Sequence, residues 1–395
     1  MRILFCNYEY PPLGGGGGVI NAQLAEELAR RHDVTVLTSQ GLGLAEEEIV
    51  NHVRVIRVPV FFRSLTAAAN FPSMLAYLPM GGRAGKRLLR REDFDVINTH
   101  FVLPTGPVGD ALSRFSNLPN VLSVHGGDLY DPSKWSSPHR HRLLRSWITR
   151  LLQRADKVVG QSENTLKNVR RFYDAEIATD LIPLGIKQPP QGKAQREAYG
   201  LSEDDTLLVT VGRLVSRKAV DQLIQTLAAL ENHHVHLLII GSGPQENRLQ
   251  ELAAGRGVEE RVHFLGQVDE NEKFSILRMS DVYVSTSQHE GFGLVFIEAM
   301  ACKLPVICYD HGGQTDFLVD GLTGHLVKLN DDEAFLSACR GLIADSDRRR
   351  QIGEENSSRA ETYFIDRCAS RYERLFEDVI EKYKTRRADG RPPRS

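Results

Sequence analysis

A chain of 395 residues with 41% hydrophobic and 25% charged side chains is longer than one core usually serves; at about 100–200 residues per domain it points to two. That composition excludes a disordered or fibrous protein, and a net charge of −2 lacks the basic footprint of a nucleic-acid binder. Its five cysteines, Cys6, Cys302, Cys308, Cys339 and Cys368, are scattered without a C-x-x-C pair, which fits a reducing cytoplasm better than a disulfide framework or a zinc site.

The chain opens on MRILFCNYEYPP, whose short apolar run gives way to polar residues and proline. It reads as a first strand, not as the roughly 7–15-residue apolar region of a secretory signal. No apolar run approaches the roughly 20 residues that span a bilayer. Apolar or β-branched runs recur at 3–6, 34–37, 53–58, 96–98, 121–124 and 158–159, with helix-compatible stretches between several of them. They start again at 207–211, 235–240, 262–265, 282–285, 305–308 and 325–327. The expected fold class is α/β: two Rossmann-like domains with parallel sheets, at 1–185 and 186–364. The hinge falls in the Pro- and Gly-rich segment 182–192. A helix over 365–385, with Tyr372, Leu375, Phe376, Val379 and Ile380 at helical spacing, is expected to pack across the domain junction. Residues 386–395 read as a flexible tail.

The halves divided at Gly185 carry +4 and −6. Much of the positive excess lies in Arg83–Arg91 and Lys134–Lys157. The second stretch mixes Trp135, Leu143, Leu144, Trp147, Ile148 and Leu151 with its cations. The preferred reading is a helix with apolar residues inward and arginines in water. The other is peripheral contact with an anionic membrane, at the inner face of the cytoplasmic membrane.

Ligands of open α/β sheets collect beyond the carboxyl ends of the strands, so the loops there carry the candidates. After the first strand, Gly14–Gly18 leads into a helical pattern; it is either a flexible turn or a place where backbone N–H groups approach a phosphate or sugar hydroxyl. A dinucleotide-binding oxidoreductase would need an acidic residue ending the next strand, where Thr38-Ser39 stands. His125-Gly126-Gly127-Asp128 follows the strand at 121–124. A loop histidine is more often merely exposed, but this one can donate to a hydroxyl. His100, after 96–98, holds a similar place. In the second half, Gly212-Arg213-Leu214-Val215-Ser216-Arg217-Lys218 puts cations at a strand-to-helix loop, where they would neutralise a leaving diphosphate. Most informative is 287–301, where Glu290 precedes a Gly-Phe-Gly turn and Glu298 sits in the helical run that begins at Leu294. The positive end of that helix would face a ligand held between two carboxylates.

At these residues the chain resembles retaining glycosyltransferases of the GT-B fold, specifically glycosyltransferase family four, the group 1 transferases. The specific part is the pair of glutamates seven residues apart at Glu290 and Glu298, joined in order to Arg213, Lys218, His125 and the early glycine loop. The resemblance implies two domains facing across a cleft. Arg213 and Lys218 would hold the donor diphosphate, Glu298 the ribose hydroxyls, and Glu290 would face the transferred sugar. Phe292, Gly293 and Leu294 would line the sugar and phosphate pocket, with base contacts near Gln267 and Val268. His125, Gly15 and Gly16 would act from the first domain, where His100 and Asp128 are acceptor-side candidates.

The expected activity is transfer of a sugar from a UDP- or GDP-type donor to a hydroxyl of a glycan, lipid-linked sugar or small metabolite. Neither a cofactor nor a metal is expected; Asp93-Phe94-Asp95 precedes its strand, at the wrong end for a donor site, and reads as structural. The rival readings are a sugar-nucleotide epimerase of the same fold and a non-catalytic glycan- or nucleotide-binding protein. The chain departs from the family pattern at Lys303 and Ala219, where glycines are common, at Asp316, where glutamate is usual, and in the linker at 184–187. A left-handed Lys303 would cost roughly 1 kcal/mol relative to glycine.

Overall fold

The computed structural model describes residues 1–41, 43–61, 71–131, 135, 137–192 and 194–388. The chain divides into two compact units, Met1–Gly185 with the chain from Ile365 onward, and Ile186–Phe364.

The first unit is built from β1 (Arg2–Cys6), α1 (Gly16–Ala29), β2 (Asp33–Ser39), β3 (Glu47–Val50), β4 (Val53–Val58), α2 (Phe71–Leu89), β5 (Val96–His100), α3 (Gly106–Ser116), β6 (Asn120–Val124), α4 (Arg142–Arg154), β7 (Lys157–Gly160), α5 (Glu163–Phe172) and β8 (Thr179–Leu181). Its sheet runs β3-β4-β2-β1-β5-β6-β7-β8. All neighbours pair parallel except β3, which pairs antiparallel with β4. Alternate residues of β1 show why a central strand is apolar on both sides: Ile3 and Phe5 pack in one core with Ala25 and Leu28, whereas Leu4 and Cys6 pack in another with Tyr77 and Leu112. Both faces of the sheet are covered, so a polar strand residue such as Asn98 or His100 is buried and needs a hydrogen-bond partner.

Two strands, β3 and β8, fall outside the runs recognised in the sequence. β3 joins β4 through Asn51 and His52, both left-handed at φ 49° and 69°, the conformation that a two-residue hairpin requires.

The second unit contains β9 (Thr206–Val211), α6 (Val220–Ala229), β10 (Val235–Ile240), α7 (Glu246–Gly255), β11 (Val262–Gly266), α8 (Glu270–Met279), β12 (Val282–Ser285), α9 (Leu294–Ala301), β13 (Val306–Tyr309), β14 (Gly324–Val327), α10 (Asp332–Ala344) and α11 (Ser346–Ala360). Its parallel sheet runs β11-β10-β9-β12-β13-β14. The order reverses between β9 and β12, as it does between β1 and β5 in the first unit. Loops leaving the carboxyl ends of these strands diverge to opposite faces of the sheet and leave a crevice, which is where such folds place ligands.

The last helix, α12 (Ile365–Ala388), includes residues 386–388 of the expected tail; the rest of that tail lies outside the described residues. Its apolar stripe, Tyr372, Leu375, Phe376 and Val379, belongs to the first unit's core with Ile3, Phe5 and α1. Tyr372 Oη meets Ser123 Oγ at 3.0 Å, and Glu373 takes Arg31 Nη2 at 3.2 Å and His32 Nε2 at 2.6 Å.

On α4 the inward reading holds for only half of the apolar residues. Ile148, Leu151 and Leu152 are buried, whereas Leu143 is 89% exposed and Trp147 39%, with Trp135 79% exposed just before the helix. Exposed Arg142, Arg145 and Arg150 stand among them. Lys134 lies outside the described residues. No helix among the described residues is long and apolar enough to cross a membrane. All five cysteines are buried and unpaired.

Candidate active site

The second unit's switch point is formed by the loops after β9 and β12. Past Gly212 the chain presents Arg213 as an exposed guanidinium that pairs with none of the described residues, then makes a single 3₁₀ turn at Ser216–Lys218. Ala219 follows at φ 45°, a left-handed position, and opens α6. The turn sends Lys218 back over the second loop, where Nζ pairs with Glu290 Oε1, while Arg217 Nη1 lies 3.6 Å from Oε2 and donates to the His289 carbonyl. Backbone and hydroxyl contacts fasten the loops: Gln288 N donates to Arg217 O at 2.9 Å, and Thr286 Oγ1 to Ala219 O at 2.8 Å.

Glu290 is buried, 7% exposed. Burial alone would push its pKa up, but the charges of Lys218 and Arg217, with hydrogen bonds from Lys218 and Ser287, together hold it below the usual glutamate value. It is therefore an ionised carboxylate under two cations, unsuited to donating a proton at neutral pH.

Glycine geometry sets the turn into α9. Gly293 is left-handed at φ 93° and opens the helix with no side-chain cap, so its first amides remain available to an anion. From behind, Gly313 N donates to Glu290 O at 2.8 Å. A Cβ at Gly313 would overlap the Gly291 carbonyl. Phe292 is buried, while Leu294 is half-buried at the mouth of the helix. After α9, Lys303 takes the left-handed conformation at φ 65° that a glycine would adopt without strain.

Glu298 lies inside α9, with its side chain 13% exposed. Oε1 takes Lys273 Nζ at 2.9 Å, whereas Oε2 is buried without a hydrogen-bond partner among the described residues. Burial raises the Glu298 pKa and Lys273 offsets this only in part. Gln267 and Val268 follow the carboxyl end of β11, the first exposed and the second half-buried.

In the first unit, Gly15 and Gly16 are exposed at the start of α1, and a Cβ on either would meet open space. Asn98, His100 and His125 form a hydrogen-bonded chain: Asn98 Nδ2 to His100 Nε2 at 2.8 Å, and His100 Nδ1 to His125 Nε2 at 3.1 Å. Since an amide nitrogen only donates, His100 Nε2 accepts and its Nδ1–H donates to His125. Neutral His125 then carries its own proton on Nδ1. Burial pushes the His125 pKa down to about 4, against a smaller raising influence of Gln161, so the neutral form prevails near pH 7.

Two acceptor-side expectations change. His100 is 1% exposed, stacked on Phe5 at 5.3 Å; it supports His125 from below and is not a surface group. Asp128 takes His125 N at 3.0 Å and Val102 N at 2.7 Å, which makes it a brace for both loops. Burial pushes its pKa up to about 6 against these donors. Asp95 Oδ2 accepts from Arg2 N at 2.7 Å and Asp93 lies 3.9 Å from Arg2, so this pair ties down the start of β1.

Sequence reasoning passed over Lys273, Gly312-Gly313 and the specific role of Arg217. Only the last left a signal, in the cation run 213–218.

The family descriptions "Glycosyltransferase Family 4" and "Glycosyl transferases group 1" match residues 14–187 and 192–359. Among relatives, N-acetyl-alpha-D-glucosaminyl L-malate synthase of Bacillus anthracis is 26% identical over 387 residues, covering 95% of this chain and 97% of its own. A GDP-mannose-dependent alpha-(1-6)-phosphatidylinositol monomannoside mannosyltransferase of Mycolicibacterium smegmatis is 28% identical, covering 89% and 91%. A sucrose-phosphate synthase structure from Thermosynechococcus elongatus superposes with a TM-score of 0.84 at 25% identity, covering 97% and 100%. That of Anabaena Alr3699/HepE in complex with UDP does so at 0.78 and 19%, covering 96% and 100%. The fold is GT-B, and the two loops at the second switch point are parts of a group-transfer enzyme. The chain belongs to the group 1 glycosyltransferases of family four.

Proposed function

We propose that this enzyme moves a sugar from a UDP- or GDP-type donor to a hydroxyl of a glycan, lipid-linked sugar or small metabolite, with retention of anomeric configuration and without a metal or cofactor. The observation that carries this reading is the pairing of Arg217 and Lys218 with Glu290 just before the open end of α9, on a loop that also carries the exposed Arg213. It supplies preorganised positive charge for a leaving diphosphate, where catalysis of this reaction needs it most. Relatives and neighbours named for GDP-mannose and for UDP support either base.

In the proposed step the bond between the anomeric carbon and the diphosphate oxygen breaks as the acceptor oxygen bonds to the same face. The acceptor proton passes to a phosphate oxygen of the leaving nucleotide. Lys218 and Arg213 stabilise the charge that develops there. Ionised Glu290 holds Lys218 in place and faces the sugar, Glu298 accepts from the ribose hydroxyls, and neutral His125 donates to a sugar hydroxyl.

Thermal unfolding in chelator tests the donor class. UDP or GDP at about 100 times its dissociation constant stabilises by about 2.7 kcal/mol, a shift of several degrees. Glu298→Ala and Arg213→Ala each lose most of that shift while remaining folded. A full shift in both variants would remove the site assignment, and a shift that requires added metal would remove the metal-free claim.

We also propose that α4 and Trp135 rest on an anionic membrane surface. Leu143, Trp135 and Trp147 are apolar groups left in solvent among arginines, as an interfacial helix requires. At about 1 kcal/mol per cation near such a surface, Arg145→Gln with Arg150→Gln weakens co-sedimentation with phosphatidylserine vesicles by about tenfold or more. Absence of vesicle binding by the unaltered protein at low salt would end this proposal.

A further inference from the structure

We propose that Lys273 is a positioning residue for donor recognition, fixing the Glu298 carboxylate so that Oε2 is the oxygen left to accept a ribose hydroxyl. This rests on the ribose role proposed above for Glu298. The lysine is in α8, outside both switch-point loops, and is only 8% exposed. Its ammonium has three N–H groups and three carboxylate oxygens around it: Glu298 Oε1 at 2.9 Å, and Glu270 Oε1 and Oε2 at 3.0 Å each. With every donor engaged, Lys273 has none to offer a phosphate, so it acts through Glu298.

The other Glu298 oxygen is where the ligand enters. Oε2 is buried and accepts no hydrogen bond from the described residues, a costly state for a carboxylate oxygen. An ionised carboxylate only accepts, so the missing partner is a donor, and a sugar hydroxyl is one. Were Lys273 absent, Oε1 would lose its donor too, and the carboxyl would be free to turn or take up a proton.

Electrostatics favour the same role. Burial pushes the Glu298 pKa up, Lys273 pulls it back, and Glu270 pushes it up again. Tyr283 of β12 and Cys302 at the end of α9 feel the Glu298 charge, and Arg278 of α8 acts on Cys302 alongside Lys273. Lys273 itself stays charged: burial lowers its pKa, but Glu298 and Glu270 together raise it above the usual lysine value. Because the ionised carboxylate is the form that binds, nucleotide affinity falls as pH drops through the Glu298 pKa, which lies above that of an ordinary glutamate. Removing Lys273 removes a lowering influence and moves that fall to higher pH.

The test is calorimetric binding of UDP and GDP, and of their 2′-deoxy and 3′-deoxy counterparts, across pH. Lys273→Met is expected to weaken the ribonucleotide roughly tenfold, to move the acid limb upward, and to matter much less for the deoxynucleotides. Lys273→Arg keeps the charge and recovers most of the affinity. Should Lys273→Met fail to fold, Lys273→Gln carries the test, since it is polar but uncharged and must still move the limb. Equal weakening of ribo- and deoxynucleotides, or an unmoved limb, overturns the positioning role even if Glu298→Gln binds poorly. Undiminished ribonucleotide binding by Glu298→Gln removes the ribose assignment itself, and binding of neither UDP nor GDP to the unaltered enzyme removes the proposed function.

Discussion

Changing Lys218 to methionine lowers the release of nucleoside diphosphate from the donor sugar by roughly 10²–10³-fold, the loss typical of removing one preorganised group that stabilises transition-state charge. The lysine ends the 3₁₀ turn that precedes α6, with its ammonium on Glu290; without it Arg217 would be the one cation left over Glu290 among the described residues. Two further consequences separate this from general damage. Glu290 is left buried with less compensation, which costs about 3–5 kcal/mol of stability. Its pKa also rises, because burial is the largest influence on it and Lys218 the largest opposing one. Stability from this depressed carboxylate is present above its unfolded pKa and lost as pH falls through the folded one; in the variant that loss starts at higher pH. The double variant Lys218→Met, Glu290→Gln should regain much of the melting temperature and none of the rate. Were the rate to return as well, the lysine's work would be structural.

Gly313→Ala is expected to be nearly as severe although it alters no charge. The added methyl overlaps the Gly291 carbonyl, and the glycine's N–H holds the Glu290 carbonyl at 2.8 Å, so the loop carrying Glu290 has to move. A displacement of about 1 Å in a positioning element costs about 10²-fold. Kinetics of donor cleavage with a melting curve check this. Gly341→Ala, at a helical glycine whose Cβ would meet open space, is the control and should leave turnover unchanged with no loss of melting temperature. A Gly313→Ala enzyme with ordinary turnover would show that the Glu290 loop tolerates displacement.

How much of this could be read from residues alone depended on whether the signal was local. Twelve strands announce themselves because both faces of each sheet are covered and most of their residues are therefore apolar or β-branched. β3 escaped because an antiparallel edge strand reads Glu-Glu-Ile-Val, and β8 because three residues carry no period. The charged loops at 213–218 and 287–298 were legible because glycine and charge alternate within a few residues. Lys273 was not: Glu270-Asn271-Glu272-Lys273 looks like a solvated first turn, and only the packing of α9 beside it makes the lysine a buried partner. His100 was misplaced by two residues of strand, since β5 continues past Asn98 and carries the imidazole into the core. The exposed face of α4 was equally hidden, because helical spacing does not say which apolar residues find a partner.

The placement of α12 has a bearing on how the chain is made. Tyr372, Phe376 and Val379 share a core with Ile3, Phe5, Ala25 and Leu28, which are translated long before them. The second unit has its whole sequence available once Phe364 has been added, but the first cannot close that core until the final helix is released. β1 and α1 thus spend the translation of the whole second unit with one apolar face waiting, and the emergence of α12 ends the wait.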